Sequence, residues 1–429
     1  MEIKNTTKNN IDVYSYKNEG IHGFCISLYL KAGALYENDL ENGLSHFYEH
    51  SVFKSVNNYF DKKMSEYLDK ASLDFDGCTY KEFMRFKITG ATKNFKKAVP
   101  VITSVIKPLN VTKADVDCER KRIKAEIRES GEKNSLHFFS NSIVWKGTSL
   151  ENTICGKIKN LDKTGKEKLK KFGEKLFSQK NFFFYITGNF SDDDLSYFLK
   201  SIENERVLPS DDLRNNTATV PESFFNRTEN VHIKNDKITY VRFSFDVDTK
   251  KYSCEKYDIL YDILFKGENA VIYKELSEKT GFIYSFDCSF EQYSNIGNIS
   301  FVFEIRKSNL YNAIERVVKA LNSLKKDAQK NLECVKPRYI DNAFLYLDDC
   351  DDFNWDRAYE GYILELTEKT IEEKIKRYES VENIDIIKMS QDIFTRKNLV
   401  LALKSPKKST DIEKIESIIK ELDCYEADN

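Results

Sequence analysis

Two of the five histidines in this chain stand four residues apart, at His46 and His50, inside the segment GLSHFYEHSVFK. Glu49 sits beside the second. On a helix, residues four apart share a face, so both imidazoles can reach one metal ion. The glutamate then stands next to that ion, placed to take a proton from water. With Leu44 as the origin of a wheel at about 100° per residue, Phe47, Tyr48 and Val52 fall on one side. His46, Glu49 and His50 fall together on the other.

The order H-x-x-E-H is the inverse of the commoner zinc peptidase motif. A catalytic zinc takes three protein ligands and leaves a fourth position open. The candidate third ligand lies in ADVDCERKRIKAEIRESGE, where Glu119 and Glu126 are seven residues apart. Seven residues bring them onto one helical face, about 20° offset. Val116, Ile123 and Ile127 share that side, whereas Lys121, Lys124 and Arg128 lie opposite. Two carboxylates on an apolar side are costly to bury unpaired. A metal with a hydrogen-bonded outer shell removes the cost, and so does pairing with arginines at the helix edge. Helix geometry alone leaves both readings open.

These helices need a scaffold. Residues 11–16 and 22–32 read as strands, the histidine segment and 60–71 as helices, and SLDFDGCTYKEFMRFKITG as two strands about a turn. Residues 92–107 and 112–131 read as helices, NFFFYITGNF as a buried strand, and 191–203 as a helix. Residues 205–230 hold two of the six prolines and many turn formers, as expected of an interdomain linker. A similar order then restarts, with strands near 231–247, helices near 253–279, strands near 282–306, helices to about 348, the strand LVLALK and a final helix. The expectation is an α+β fold of two similar domains, 1–205 and 231–429, joined by 206–230. Each would be a mainly antiparallel or mixed sheet packed with helices.

Composition narrows the function classes. The chain has 429 residues, 41% of them hydrophobic and 32% charged, which suits a soluble globular protein. Its 67 basic and 69 acidic residues nearly balance, so nothing draws it to nucleic acid or an anionic membrane. The opening MEIKNTTKNNIDVYSY lacks the apolar core of a signal peptide, and no apolar run reaches the ~20 residues of a membrane span. The nine cysteines are scattered without a C-x-x-C pair, which fits reduced thiols and a cytoplasmic location.

H-x-x-E-H followed by a glutamate on a later helix resembles the pitrilysin family of zinc peptidases, which includes insulysin and the mitochondrial processing peptidase. The likeness extends to GLSHFYEHSVFKS with its Phe-Lys tail, to WKGTSLENTICGKIKNLDK and FFFYITGNFSDDDL, and to IYKELSEKTGFIYSFDCSFEQYSNIGNISFVFEI. The resemblance implies one Zn2+ per chain, with His46, His50 and Glu126 as ligands and Glu49 as general base. Glu126 lies at the distance beyond the second histidine where the family places its third ligand. Glu119, one heptad earlier, would support the site. Two departures stand out. The family's substrate-facing edge strand follows an Asn-Ala pair, matched here by Asp76-Gly77. Its second domain supplies an arginine and a tyrosine that hold the substrate carbonyl; the tyrosine is matched by Tyr284, but Ser277 occupies the arginine position.

The resemblance also implies a clamshell chamber of four such domains, of which this chain supplies half. Ser277 points to a heterodimer in which a related subunit contributes the arginine–tyrosine pair; a homodimer is the alternative. The expected activity is zinc-dependent endopeptidase action on peptides or short extended segments, such as a precursor or leader peptide. Asp76, Gly77 and Tyr284 are the expected substrate contacts. The competing class is a non-catalytic scaffold or processing subunit.

Overall fold

Alternation along the third strand organises the first half of the protein. In the computed structural model, which describes residues 2–131, 134–205, 207, 217–363 and 370–424, the chain divides into two units. The first contains strands β1 (Glu2–Thr6), β2 (Asp12–Lys17), β3 (Gly23–Leu30), β4 (Leu73–Thr79), β5 (Met84–Ala91) and β6 (Phe182–Gly188). They form one mixed sheet in the order β1-β2-β6-β3-β5-β4, with β4 at an edge. Phe24, Ile26, Leu28 and Leu30 point to one face and are fully buried. There they meet α1 (Leu44–Tyr59), α2 (Met64–Ala71), α3 (Phe95–Thr103) and α4 (Lys113–Glu129) in a single core. The odd residues of β3, Cys25, Ser27 and Tyr29, point to the opposite face, as the period of two requires.

The second unit repeats the plan. Strands β7 (Val231–Asn235), β8 (Thr239–Val247), β9 (Asp287–Gln292), β10 (Gly297–Ile305) and β11 (Leu399–Ser405) form a sheet in the order β7-β11-β8-β10-β9. Val241, Phe243, Phe245 and Val247 of β8 face a helical core, while Arg242, Ser244 and Asp246 face the other way. The expected α+β architecture of two similar sheets with helices is the one observed.

The units are not the contiguous halves expected from the sequence. Among the described residues, 134–151 belong to the second unit and 344–363 to the first; much of the expected linker (206 and 208–216) lies outside the described residues. Helix α5 (Leu136–Val144) packs on β8 and β11, with Ser140 Oγ 3.2 Å from Ser244 Oγ. Trp145, fully buried, donates from its indole to Glu291 at 3.0 Å. The helix Cys350–Ala358 does the same for the first sheet. Tyr29 donates to Asn354 at 3.0 Å, and Arg85 and Lys87 of β5 both pair with Asp351. The physical reason is that each sheet has two faces to close. The helices adjacent in sequence cover one face, and the other is closed by a segment from the opposite half of the chain.

Candidate metal centre

Gly43 starts α1 in a left-handed conformation (φ 94°) and brings no capping side chain of its own. Glu37 does that work from outside the helix. Its carboxylate accepts from Ser45 N at 2.7 Å and Gly43 N at 2.9 Å, satisfying amides that a helix start leaves open. Helix α4 is held at its start by a capping box between Thr112 and Asp115. The two helices pack against each other, which sets the ligand-type side chains of α1 against the carboxylates of α4.

His46, His50 and Glu126 converge: one ligand-type atom from each lies within 4.8 Å of the others. His46 Nε2 stands 3.7 Å from Glu126 Oε1, and His50 Nε2 stands 3.6 Å from Glu126 Oε2. These gaps are too long for hydrogen bonds. They are close to the ~3.4 Å between neighbouring donors of a tetrahedral ion with bonds near 2.0–2.1 Å. His46 is only 7% exposed, and its Nδ1 has no hydrogen-bond partner. Two imidazoles and a carboxylate are also the donor types zinc takes, so the residues present fit such an ion.

The neighbours grade the charges. Burial and the nearby His50 pull the His46 pKa down to about 4, against the pull of Glu126, so the ring is neutral and one of its nitrogens can offer a lone pair. Burial also lowers His50, but its hydrogen bond to Glu119 and the charges of Glu49, Glu119 and Glu126 outweigh it and raise the ring overall. Glu119 is 2% exposed. It stands 3.1 Å from His50 Nδ1, with Lys54 Nζ at 3.3 Å and Arg122 Nη1 at 3.2 Å. Burial alone would raise this carboxyl; those three partners hold it below the usual range. Glu49 is 7% exposed, and burial lifts it to about 7 despite the hydrogen bond it accepts from Thr79 at 2.8 Å. A carboxyl near neutrality beside the three ligand-type groups can both take and release a proton.

The structure brings together four of the expected residues and the expected supporting glutamate. The two carboxylates face different partners. Glu126 turns to the histidines, and Glu119 takes the arginine and a lysine. Asp76 and Gly77 do not precede an edge strand as expected; they lie inside edge strand β4. A Cβ on Gly77 would come 2.9 Å from the rings of Phe53 and Phe86, so the close packing of this edge on α1 requires glycine. Tyr284 is 95% exposed just before β9, and Ser277 lies in the π-turn Lys274–Glu278. Sequence reasoning missed Glu37, Thr79, Lys54 and Cys155. Lys54 carried a signal, since it continues the four-residue ladder of His46 and His50. Glu37, Thr79 and Cys155 carried none, because only folding brings them near.

The chain matches two family descriptions in sequence. Residues 13–157 match "Insulinase (Peptidase family M16)", and residues 164–336 match "Peptidase M16 inactive domain". It is 25% identical over 328 residues to an "Uncharacterized zinc protease" of Rickettsia felis, covering 74% of this chain and 75% of that protein. It is 20% identical over 410 residues to the "Uncharacterized zinc protease YmxG" of Bacillus subtilis, covering 94% and 97%. Its fold is similar to the crystal structure of a protease from Helicobacter pylori, with a TM-score of 0.83 at 17% identity over 95% of this chain and 99% of that one. The periplasmic protease PqqL of Escherichia coli matches 98% of this chain with only 50% of its own length, at a TM-score of 0.78 and 15% identity. The two sequence matches together span most of the chain, and the first contains the H-x-x-E-H segment and the facing Glu126. On both counts this chain belongs to the insulinase family, peptidase family M16.

Proposed function

We propose that this chain is a zinc-dependent endopeptidase acting on peptides or short extended segments. The observation that carries the reading is the convergence of His46, His50 and Glu126 around a common point, with Glu49 beside them. A zinc ion held by those three would polarise a scissile carbonyl and lower the pKa of an attacking water. Glu49 takes the proton of that water and returns it to the leaving amine. Thr79, at the end of edge strand β4, holds Glu49 in position. An extended peptide added to that open edge would pass the base, with backbone recognition outweighing side-chain recognition.

The chain supplies two of the domains of such a chamber, so it would work as one of two halves. The match to half of PqqL supports that assembly. Ser277 is too short and uncharged to stand in for a guanidinium, which favours a related subunit as the other half.

The test separates metal binding from chemistry. Glu49→Gln retains zinc and loses most peptide cleavage, while His46→Ala, His50→Ala and Glu126→Ala each lose zinc, as read by metal analysis beside a quenched-peptide assay. Undiminished cleavage by Glu49→Gln would overturn the base, and full zinc in Glu126→Ala would overturn the ligand set. A chain whose complexes never cleave peptides, with zinc or without, would instead be a scaffold subunit.

A further inference from the structure

Glu126 is the weakly anchored member of the cluster. Glu119 is gripped by His50, Lys54 and Arg122, but the Glu126 side chain is 44% exposed and both imidazoles stand beyond hydrogen-bond range. A long, half-exposed carboxylate carries rotamer freedom that must be lost when it binds an ion. Among the described residues, one hydrogen bond reaches it. Cys155 Sγ donates to Glu126 Oε1 at 3.4 Å, the oxygen that faces His46.

The cysteine comes from a strap that is locked to the start of α1. Gly156 (φ 77°) lies backbone to backbone against Gly43, and a Cβ on it would fall 2.3 Å from Gly43 Cα and 2.5 Å from Asn42 O. Asn42 donates to Thr153 O at 2.8 Å, and Asn160 donates to Asp39 O at 2.9 Å and Asn42 O at 3.2 Å. The strap therefore moves with α1, and Cys155 reports the position of the histidine helix to a carboxylate on α4. A second observation points the same way: His46, more than nine-tenths buried, aims Nε2 at this carboxylate from 3.7 Å, and its Nδ1 has no hydrogen-bond partner.

We propose that Cys155 is a positioning residue for Glu126. Its thiol holds Oε1 over His46 and so leaves Oε2 over His50, setting the carboxylate in place before an ion arrives. The inference rests on the zinc-site reading above.

The test is metal affinity, measured by competition with a chromophoric chelator on the full chain, together with the visible spectrum of the Co2+-substituted protein. Cys155→Ala should weaken Zn2+ binding about tenfold, the low end of outer-shell effects, while Cys155→Ser, which keeps a donor, should stay within about threefold of wild type. The Co2+ ligand-field bands should change shape in the alanine variant and return in the serine variant, with thermal unfolding unchanged in both. Wild-type affinity and spectrum in Cys155→Ala would overturn the proposal, as would a serine variant no better than alanine. A sulfur-to-Co2+ charge-transfer band in wild type that vanishes in Cys155→Ser would overturn it differently, by making Cys155 a ligand. If Glu126→Ala binds Zn2+ as tightly as wild type, the site reading itself fails; if only Cys155→Ala is silent, that reading stands and this inference falls.

Discussion

His50 is used from both sides of its ring: Nδ1 stands 3.1 Å from Glu119 Oε2, and Nε2 faces Glu126 Oε2 at 3.6 Å. A carboxylate on Nδ1 fixes the tautomer in which Nε2 offers its lone pair, and it orients the ring. Glu119→Gln is therefore expected to weaken Zn2+ affinity about 10–100-fold without abolishing binding. Chelator competition checks it, and wild-type affinity would reduce Glu119 to a carboxylate that neutralises Lys54 and Arg122.

The pairing of Asp351 with Arg85 and Lys87 ties the helix Cys350–Ala358 to the back of the first sheet. Arg85 is 7% exposed, so removing its partner leaves a charge in poor surroundings. Asp351→Asn should cost about 2–3 kcal/mol, less than for a fully buried pair because Asp351 itself is partly exposed. Burial tends to raise this carboxyl, but Arg85 and Lys87 outweigh it and hold it below its ordinary value. A depressed carboxylate stabilises at pH above its unfolded value and loses that contribution as pH falls through the folded value. The stability gap between wild type and Asp351→Asn should thus be constant from pH 5 to 8 and close below about pH 4. Urea titrations across that range would show it, and a gap independent of pH would mean the ion pair contributes nothing.

Gly156 and Gly147 both have positive φ, 77° and 81°, but only Gly156 is crowded. Alanine at Gly147 should cost about 1–2 kcal/mol from backbone conformation alone. Alanine at Gly156 must also push the strap off Gly43, so its loss of stability should be clearly larger and should be accompanied by weaker Zn2+ binding. Equal unfolding midpoints for the two variants would show that the strap yields freely.

The partner prediction follows from Ser277 and Tyr284. Purified alone, the chain should bind Zn2+ and cleave peptides slowly; adding a related subunit that brings an arginine–tyrosine pair should raise the rate about 100–1,000-fold, the usual worth of an oxyanion donor. A homodimer with strong activity that survives Tyr284→Phe and Ser277→Ala would remove the need for a partner. Activity gained by a Ser277→Arg homodimer would place the deficiency at that position.

What could be read from the linear chain was whatever depends on local period. His46, Glu49 and His50 share a helix, and so do Glu119 and Glu126, so spacing alone placed each group on a face. Strands β3, β5 and β6 declared themselves through alternation and apolar runs for the same reason. Contacts that depend on how distant segments meet had no such signature. Glu37 at the start of α1, Thr79 on Glu49 and Cys155 on Glu126 are joined across 8, 30 and 29 residues by packing rather than by period. The exchange of α5 and the helix Cys350–Ala358 between the units was equally silent. An amphipathic helix shows in its sequence that it must bury one face, but which sheet receives that face is decided only when both sheets exist, each with its uncovered side.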